Sequence, residues 1–149
     1  MATDAQITGE SGEKLVASKC ACPKCKRSKT LRRLPANFKC ADLICDFCGF
    51  LAQVKACTVD DPAIPPDTIL GAAWGPQKER MESAIYFPLY VVAFAKKGSK
   101  RAIYYLSADL QEPGIFQSRS PLGPNARRVG WQGFIYRLEH VRDRLIRLA

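Results

Sequence analysis

Asp42, Gln53 and Lys55 stand on otherwise apolar faces of residues 37–57, NFKCADLICDFCGFLAQVKAC, at a spacing that suits chemistry on a phosphodiester. From Phe50 onward, Phe50, Ala52, Val54 and Ala56 alternate with Leu51, Gln53, Lys55 and Cys57, which is the period of two of a β-strand. Upstream, Phe38, Cys40, Asp42 and Ile44 share a face in the same way. Paired as one hairpin, the two arms bring Asp42, Gln53 and Lys55 together across the ladder. Asp42 can then offer a carboxylate oxygen, Gln53 its amide oxygen and Val54 a backbone carbonyl. These are hard ligands of the kind magnesium accepts while keeping several waters. Lys55 can hold an attacking water or stabilise the charge of a pentavalent phosphorus. A surface hairpin whose polar residues serve only solubility is the equally simple alternative.

Two C-x-x-C pairs, Cys22-Pro-Lys-Cys25 and Cys45-Asp-Phe-Cys48-Gly49, are separated by 19 residues. Each closes a tight turn, and two such turns complete a tetrahedral four-sulfur site, which is structural rather than catalytic. Zinc is the expected ion; an iron centre would also accept these ligands. Cys20 competes with Cys22 as a ligand, whereas Cys40 and Cys57 read as small buried residues. The second knuckle sits at the hairpin tip, so the ion would clamp the basic segment before it against the two arms.

These features must be carried by a chain of 149 residues, enough for one domain with a real core. A short helix is expected over 9–19, with Ser11 as N-cap. The hairpin follows, then a Pro- and Asp-rich loop over 58–67 and a weakly helical stretch over 68–84. IYFPLYVVAFA (85–95) and RAIYYLSADL (101–110) read as paired strands around the turn KKGSK, and WQGFIYRLEHV as a last strand before a helical tail, RDRLIRLA. This order predicts an α/β fold with a mixed α+β sheet, in a single domain spanning 1–149 with the knuckles at 22–25 and 45–48 inside it.

The net charge of +9 is concentrated. Residues 19–39 carry Lys19, Lys24, Lys26, Arg27, Lys29, Arg32, Arg33 and Lys39 without an acid. Lys96, Lys97, Lys100 and Arg101 form a second cluster, and the C-terminal third adds seven arginines. Such a surface attracts a polyanion, double-stranded DNA first, with Arg32 and Arg33 as candidate phosphate contacts. There is no Walker loop, GxGxxG or GxSxG, which argues against a nucleotide cofactor or a hydrolase elbow. His140 is the only histidine, so general-base chemistry through imidazole is not expected. No membrane span or secretory signal is recognisable, and the unpaired cysteines fit a reducing cytoplasm. Oligomeric state is not legible.

ADL…QVK resembles the divalent-metal motif of PD-(D/E)XK nucleases, an acid followed on the next strand by acid-x-Lys. With CPKC, ADLICDFC and SPLGPNARRVGW, residues 13–140 are similar to the catalytic domain of DpnI-like enzymes, the Dam-replacing family. The resemblance implies a PD-(D/E)XK nuclease-like core with an embedded zinc site held by Cys22, Cys25, Cys45 and Cys48. It implies a magnesium-dependent, type II-like restriction endonuclease, a hydrolase directed to DNA containing N6-methyladenine. Asp42, Gln53 and Lys55 would be the catalytic set, with Asp42 and Gln53 on the magnesium. Trp131 would stand near the methylated adenine, with Arg127 and Arg128 in the same DNA-binding stretch; ordinary packing is the alternative for Trp131. Gln53 replaces the family's usual glutamate, so Gln53→Glu is expected to strengthen magnesium binding. Ala41 replaces a proline, and no C-terminal winged helix is expected. A non-catalytic, zinc-containing DNA-binding module of the same fold is the competing reading; a zinc-ribbon adaptor for proteins fits the basic charge less well.

Overall fold

The computed structural model describes residues 3–38 and 40–149; Lys39, counted above in the basic segment, lies outside them. The first element is helix α1, Asp4–Lys19. Thr3 caps it, its hydroxyl accepting from the Gln6 amide at 3.2 Å while Gln6 Oε1 accepts from the Thr3 amide at 2.8 Å, a reciprocal capping box. The expected start at Ser11 is therefore corrected. Gly9 and Gly12 weaken the sequence signal for a helix, but at Gly12 a close approach requires glycine. A Cβ there would stand 2.8 Å from Cβ of Ala56 on the sheet below.

A six-stranded mixed sheet follows the order β1-β2-β3-β5-β6-β9. Its strands are β1 Leu31–Arg33, β2 Leu43–Cys45, β3 Leu51–Val59, β5 Leu89–Ala95, β6 Arg101–Leu106 and β9 Ile146–Arg147. β2 and β3 form the expected antiparallel hairpin, with Leu43 opposite Ala52 and Ile44 opposite Leu51. Its first arm is shorter than the alternation suggested. Cys40 adopts φ 81°, outside strand geometry, and the ladder begins only where the Asp42 amide donates to the Ala52 carbonyl at 2.9 Å.

β3 and β5 run parallel, so the chain must cross over between them. The crossover is β4, Thr68–Ala73, leading into helix α2, Trp74–Glu82. Residues 68–84 are thus helical only in their second half. Pro76 falls in the first turn of α2, where its missing N–H costs no helical hydrogen bond. β4 pairs with β8, Gly133–Arg137, and β8 with β7, Phe116–Ser118, giving a second, three-stranded antiparallel sheet. The predicted helical tail is also corrected. A 3₁₀ segment, Leu138–Arg144, leads into β9, whose residues pair with Tyr104 and Tyr105 and cover what would otherwise be an open edge of β6.

Two cores lie on opposite faces of the large sheet. Ala52, Val54, Tyr90, Val92 and Ile103 pack toward Leu15 and Val16 of α1 and toward the cysteine turns. Leu89, Val91, Ala93, Tyr104 and Leu106 pack toward Phe116, Phe134 and Tyr136 of the small sheet. The alternation along β3 is as expected: Ala52, Val54 and Ala56 face the first core, while Cys57 and Val59 border the second. Gln53 and Lys55 consequently point to the side where the β4–α2 crossover stands. Among the described residues, no helix is long and apolar enough to cross a membrane.

Candidate metal centre and active-site cleft

The two cysteine turns meet as their spacing requires. The sulfurs of Cys22, Cys25, Cys45 and Cys48 all lie within 4.8 Å of one another, and Cys22–Cys48 and Cys25–Cys45 approach to 3.6 and 3.7 Å. A tetrahedron with zinc–sulfur bonds of about 2.3 Å has edges of about 3.8 Å, so the donor set and its size both fit zinc. Burial pushes the Cys22 thiol up to about 11. Burial also opposes ionisation of Cys45, but the Thr30 hydroxyl and the amides of Cys48 and Phe47 outweigh it and draw this thiol down to about 6. Thr30 Oγ1 lies 3.2 Å from the Cys45 sulfur. Cys20 is buried outside the cluster and Cys57 is half-buried, whereas Cys40, expected inside, is exposed on its strained turn.

At the other end of the hairpin, Asp42, Gln53 and Lys55 line one solvent-open cleft of about 510 Å³. Its far wall is Ala72 and Ala73 of β4 and Arg80 of α2. The β4–α2 crossover thus turns a flat sheet face into a cleft. Asp42 Oδ2 accepts from the Val54 amide at 2.8 Å, which caps the end of the β2–β3 ladder and fixes the carboxylate. Its second oxygen has no hydrogen bond among the described residues.

Gln53 is held at both ends. Its Nε2 donates to the Cys40 carbonyl at 2.8 Å, and its Oε1 accepts from the Tyr136 hydroxyl at 3.0 Å. Tyr136 is buried, and burial pushes its hydroxyl well above the ordinary tyrosine range, so it is a proton donor at any working pH. Neither Tyr136 nor Arg80 was singled out by the sequence reading. Tyr136 sits in an unremarkable strand pattern, and Arg80 among ordinary helix-surface charges, so neither carried a local signal.

The helix adds another acid. Glu13 of α1 lines a neighbouring depression with Arg33 and Asp42. Burial raises its pKa first, and the charge of Asp42 raises it further, against the opposing pull of Arg33. For magnesium, the cleft offers one carboxylate oxygen of Asp42 and the second lone pair of Gln53 Oε1. That sparse set is compatible with an ion that keeps most of its waters. Lys55 and Arg80 supply positive charge beside it.

The predicted nucleic-acid contacts are distributed. Arg32 pairs with Asp46 at 3.0 Å, and Arg33 with Glu13 at 3.4 Å and Glu10 at 3.7 Å, so both arginines already have acidic neighbours. Arg127 and Arg128 are exposed on the loop between β7 and β8. The Arg128 guanidinium lies 4.4 Å over the Trp131 ring. A Cβ on Gly133 would meet that ring at 2.9 Å and the Ala72 carbonyl at 3.4 Å, so Trp131 stands next to the strand that walls the cleft. The lone histidine, His140, is exposed near the Gly114 carbonyl and outside the cleft lining.

A family model described as DpnI: Dam-replacing family matches residues 2–145 of the chain. No curated protein matches it.

Proposed function

The chain belongs to the Dam-replacing, DpnI-type family, and from that premise we propose that it is a magnesium-dependent DNA endonuclease of restriction type acting on N6-methyladenine-containing duplex. The observation that carries this reading is the convergence of Asp42, Gln53 and Lys55 on one open cleft, with Arg80 opposite. The proposed fold is a PD-(D/E)XK-like core in a single domain. Zinc, held by the four cysteines, fixes the hairpin register and takes no part in the reaction.

Asp42 and Gln53 would hold the magnesium. Bound there, the ion would lower the pKa of water and neutralise phosphate charge. Lys55 would orient the attacking water or donate to the phosphate oxygens, and Arg80 would hold the phosphodiester against the opposite wall. Arg127, Arg128 and Trp131 would contact the duplex from the β7–β8 loop, with the Trp131 ring available for an adenine methyl group. Arg32 and Arg33 would reach phosphate only by exchanging their acidic neighbours for it.

The test is cleavage of methylated and unmethylated duplex with magnesium or manganese, followed on a gel. Faster cutting of the methylated duplex is expected. Binding without cleavage under either ion would replace this reading with that of a non-catalytic DNA-binding module. One observation favours that second reading: Gln53 carries no charge and is already committed to Cys40 and Tyr136.

A further inference from the structure

The two zinc knuckles are the same turn built twice. In the second, the Gly49 amide donates to the Cys45 carbonyl at 2.9 Å, with Gly49 at φ 80°. In the first, the Lys26 amide donates to the Cys22 carbonyl at 2.9 Å, with Lys26 at φ 66°. Left-handed backbone favours glycine, and a lysine there is sterically costly. Lys29, three residues on, repeats the conformation at φ 60°.

Strain alone does not mark a site, since Ala84 after helix α2 is also left-handed. The knuckle differs in what the strained residues present. Lys24, Lys26, Arg27 and Lys29 are all exposed, and among the described residues none has a salt-bridge partner. The Arg27 guanidinium instead lies 3.8 Å over the ring of Phe47, which is 60% exposed at the tip of the other knuckle. Arg32 and Arg33, next along the chain, do have acidic partners. Unopposed cations on a rigid metal-clamped turn complement a closely spaced line of phosphates.

We propose that the paired knuckles are a second DNA-contacting surface, on which Lys26 and Lys29 grip the duplex backbone away from the cleft. The second knuckle begins at Cys45, three residues and about 10 Å along the hairpin arm from Asp42 of the cleft. This inference rests on the DNA-directed reading above and adds to it a positioning surface outside the reaction centre.

The experiment compares the zinc-loaded full chain with Lys26→Gly and with Lys26→Gly/Lys29→Gly, measuring affinity for a defined duplex as salt is varied. Glycine suits both backbone positions, so zinc content and Tm should be unchanged or higher. Affinity at low salt should fall several-fold, and the slope of log affinity against log salt should flatten by about one for each lysine lost. Wild-type affinity and slope in both variants would overturn the proposal while leaving the nuclease reading intact. Tighter wild-type binding to an acidic polypeptide than to duplex would also overturn it, in favour of a protein partner. Absence of duplex binding by the wild type at low salt would overturn both readings together.

Discussion

The hydroxyl of Tyr136 on the small sheet donates to Oε1 of Gln53 on the large sheet at 3.0 Å, joining residues 83 positions apart. With the Cys40 carbonyl accepting from the amide nitrogen, this contact fixes which end of Gln53 faces which neighbour. It changes what substitutions there should do.

Tyr136→Phe removes one donor from a half-buried pair and should cost about 1 kcal/mol by denaturant unfolding. Gln53→Glu should cost more without magnesium, about 1–3 kcal/mol, because an acceptor oxygen then faces the Cys40 carbonyl with no proton between them. Lowering the pH should restore part of that loss by protonating the new carboxyl. Magnesium should raise the Tm of this variant more than that of wild type, because its carboxylate has a cation to turn toward. Equal stability of Gln53→Glu and wild type without metal would contradict the clamp.

Asp42→Asn is the cleaner test of the proposed reaction centre. Asparagine keeps an oxygen for the Val54 amide but loses the charge, whereas alanine would leave that amide unpaired. Asp42→Asn and Lys55→Ala should each reduce cleavage to background in a gel assay while zinc content and duplex binding persist. Retained cleavage in either variant would remove that residue from the mechanism.

The cysteine cluster predicts about one zinc per chain by metal analysis. Cys45→Ser should lower Tm markedly, because formation of the site contributes to folding free energy. A chelator strong enough to extract zinc should have the same effect on wild type. Folded, metal-free protein indifferent to chelation would refute a structural zinc.

Glu13 makes a pH-dependent prediction. Its folded pKa is raised above 4.5, chiefly by burial and then by Asp42. Below 4.5 both folded and unfolded chains hold the proton, and the group imposes no penalty. As pH rises, the unfolded chain releases it first, so stability falls until the folded pKa is passed. Glu13→Gln removes this titration, and its Tm relative to wild type should climb as pH rises from about 4 toward neutrality. A constant difference across that range would show that the Arg33 pair cancels the burial.

For Trp131→Ala, the expected change is selective. Cleavage of methylated duplex should slow toward the rate on unmodified duplex, since the lost ring would no longer contact the methyl group. Equal loss on both duplexes would make Trp131 a packing residue seated on Gly133.

What the sequence determined by itself was local. The repeated C-x-x-C spacing required two sulfur-bearing turns, and the alternation from Phe50 to Cys57 required that Gln53 and Lys55 share a face. The strands around KKGSK were legible because an apolar run, a turn and a second apolar run need only neighbours in the chain. The sequence places the start of helix α1 too late, because Ser11 with acidic Glu10 and Glu13 imitates a helix start, while the cap in the fold is Thr3 with Gln6. β4 and β9 were missed because each becomes a strand through hydrogen bonds to a distant partner, β8 and β6 respectively. The cleft is of the same kind. Arg80 reaches it because the parallel pairing of β3 with β5 forces a crossover above Gln53 and Lys55, and Tyr136 reaches Gln53 because β8 pairs with the crossover strand β4. No spacing along the chain encodes that proximity; it arises from burying two apolar faces on opposite sides of one sheet.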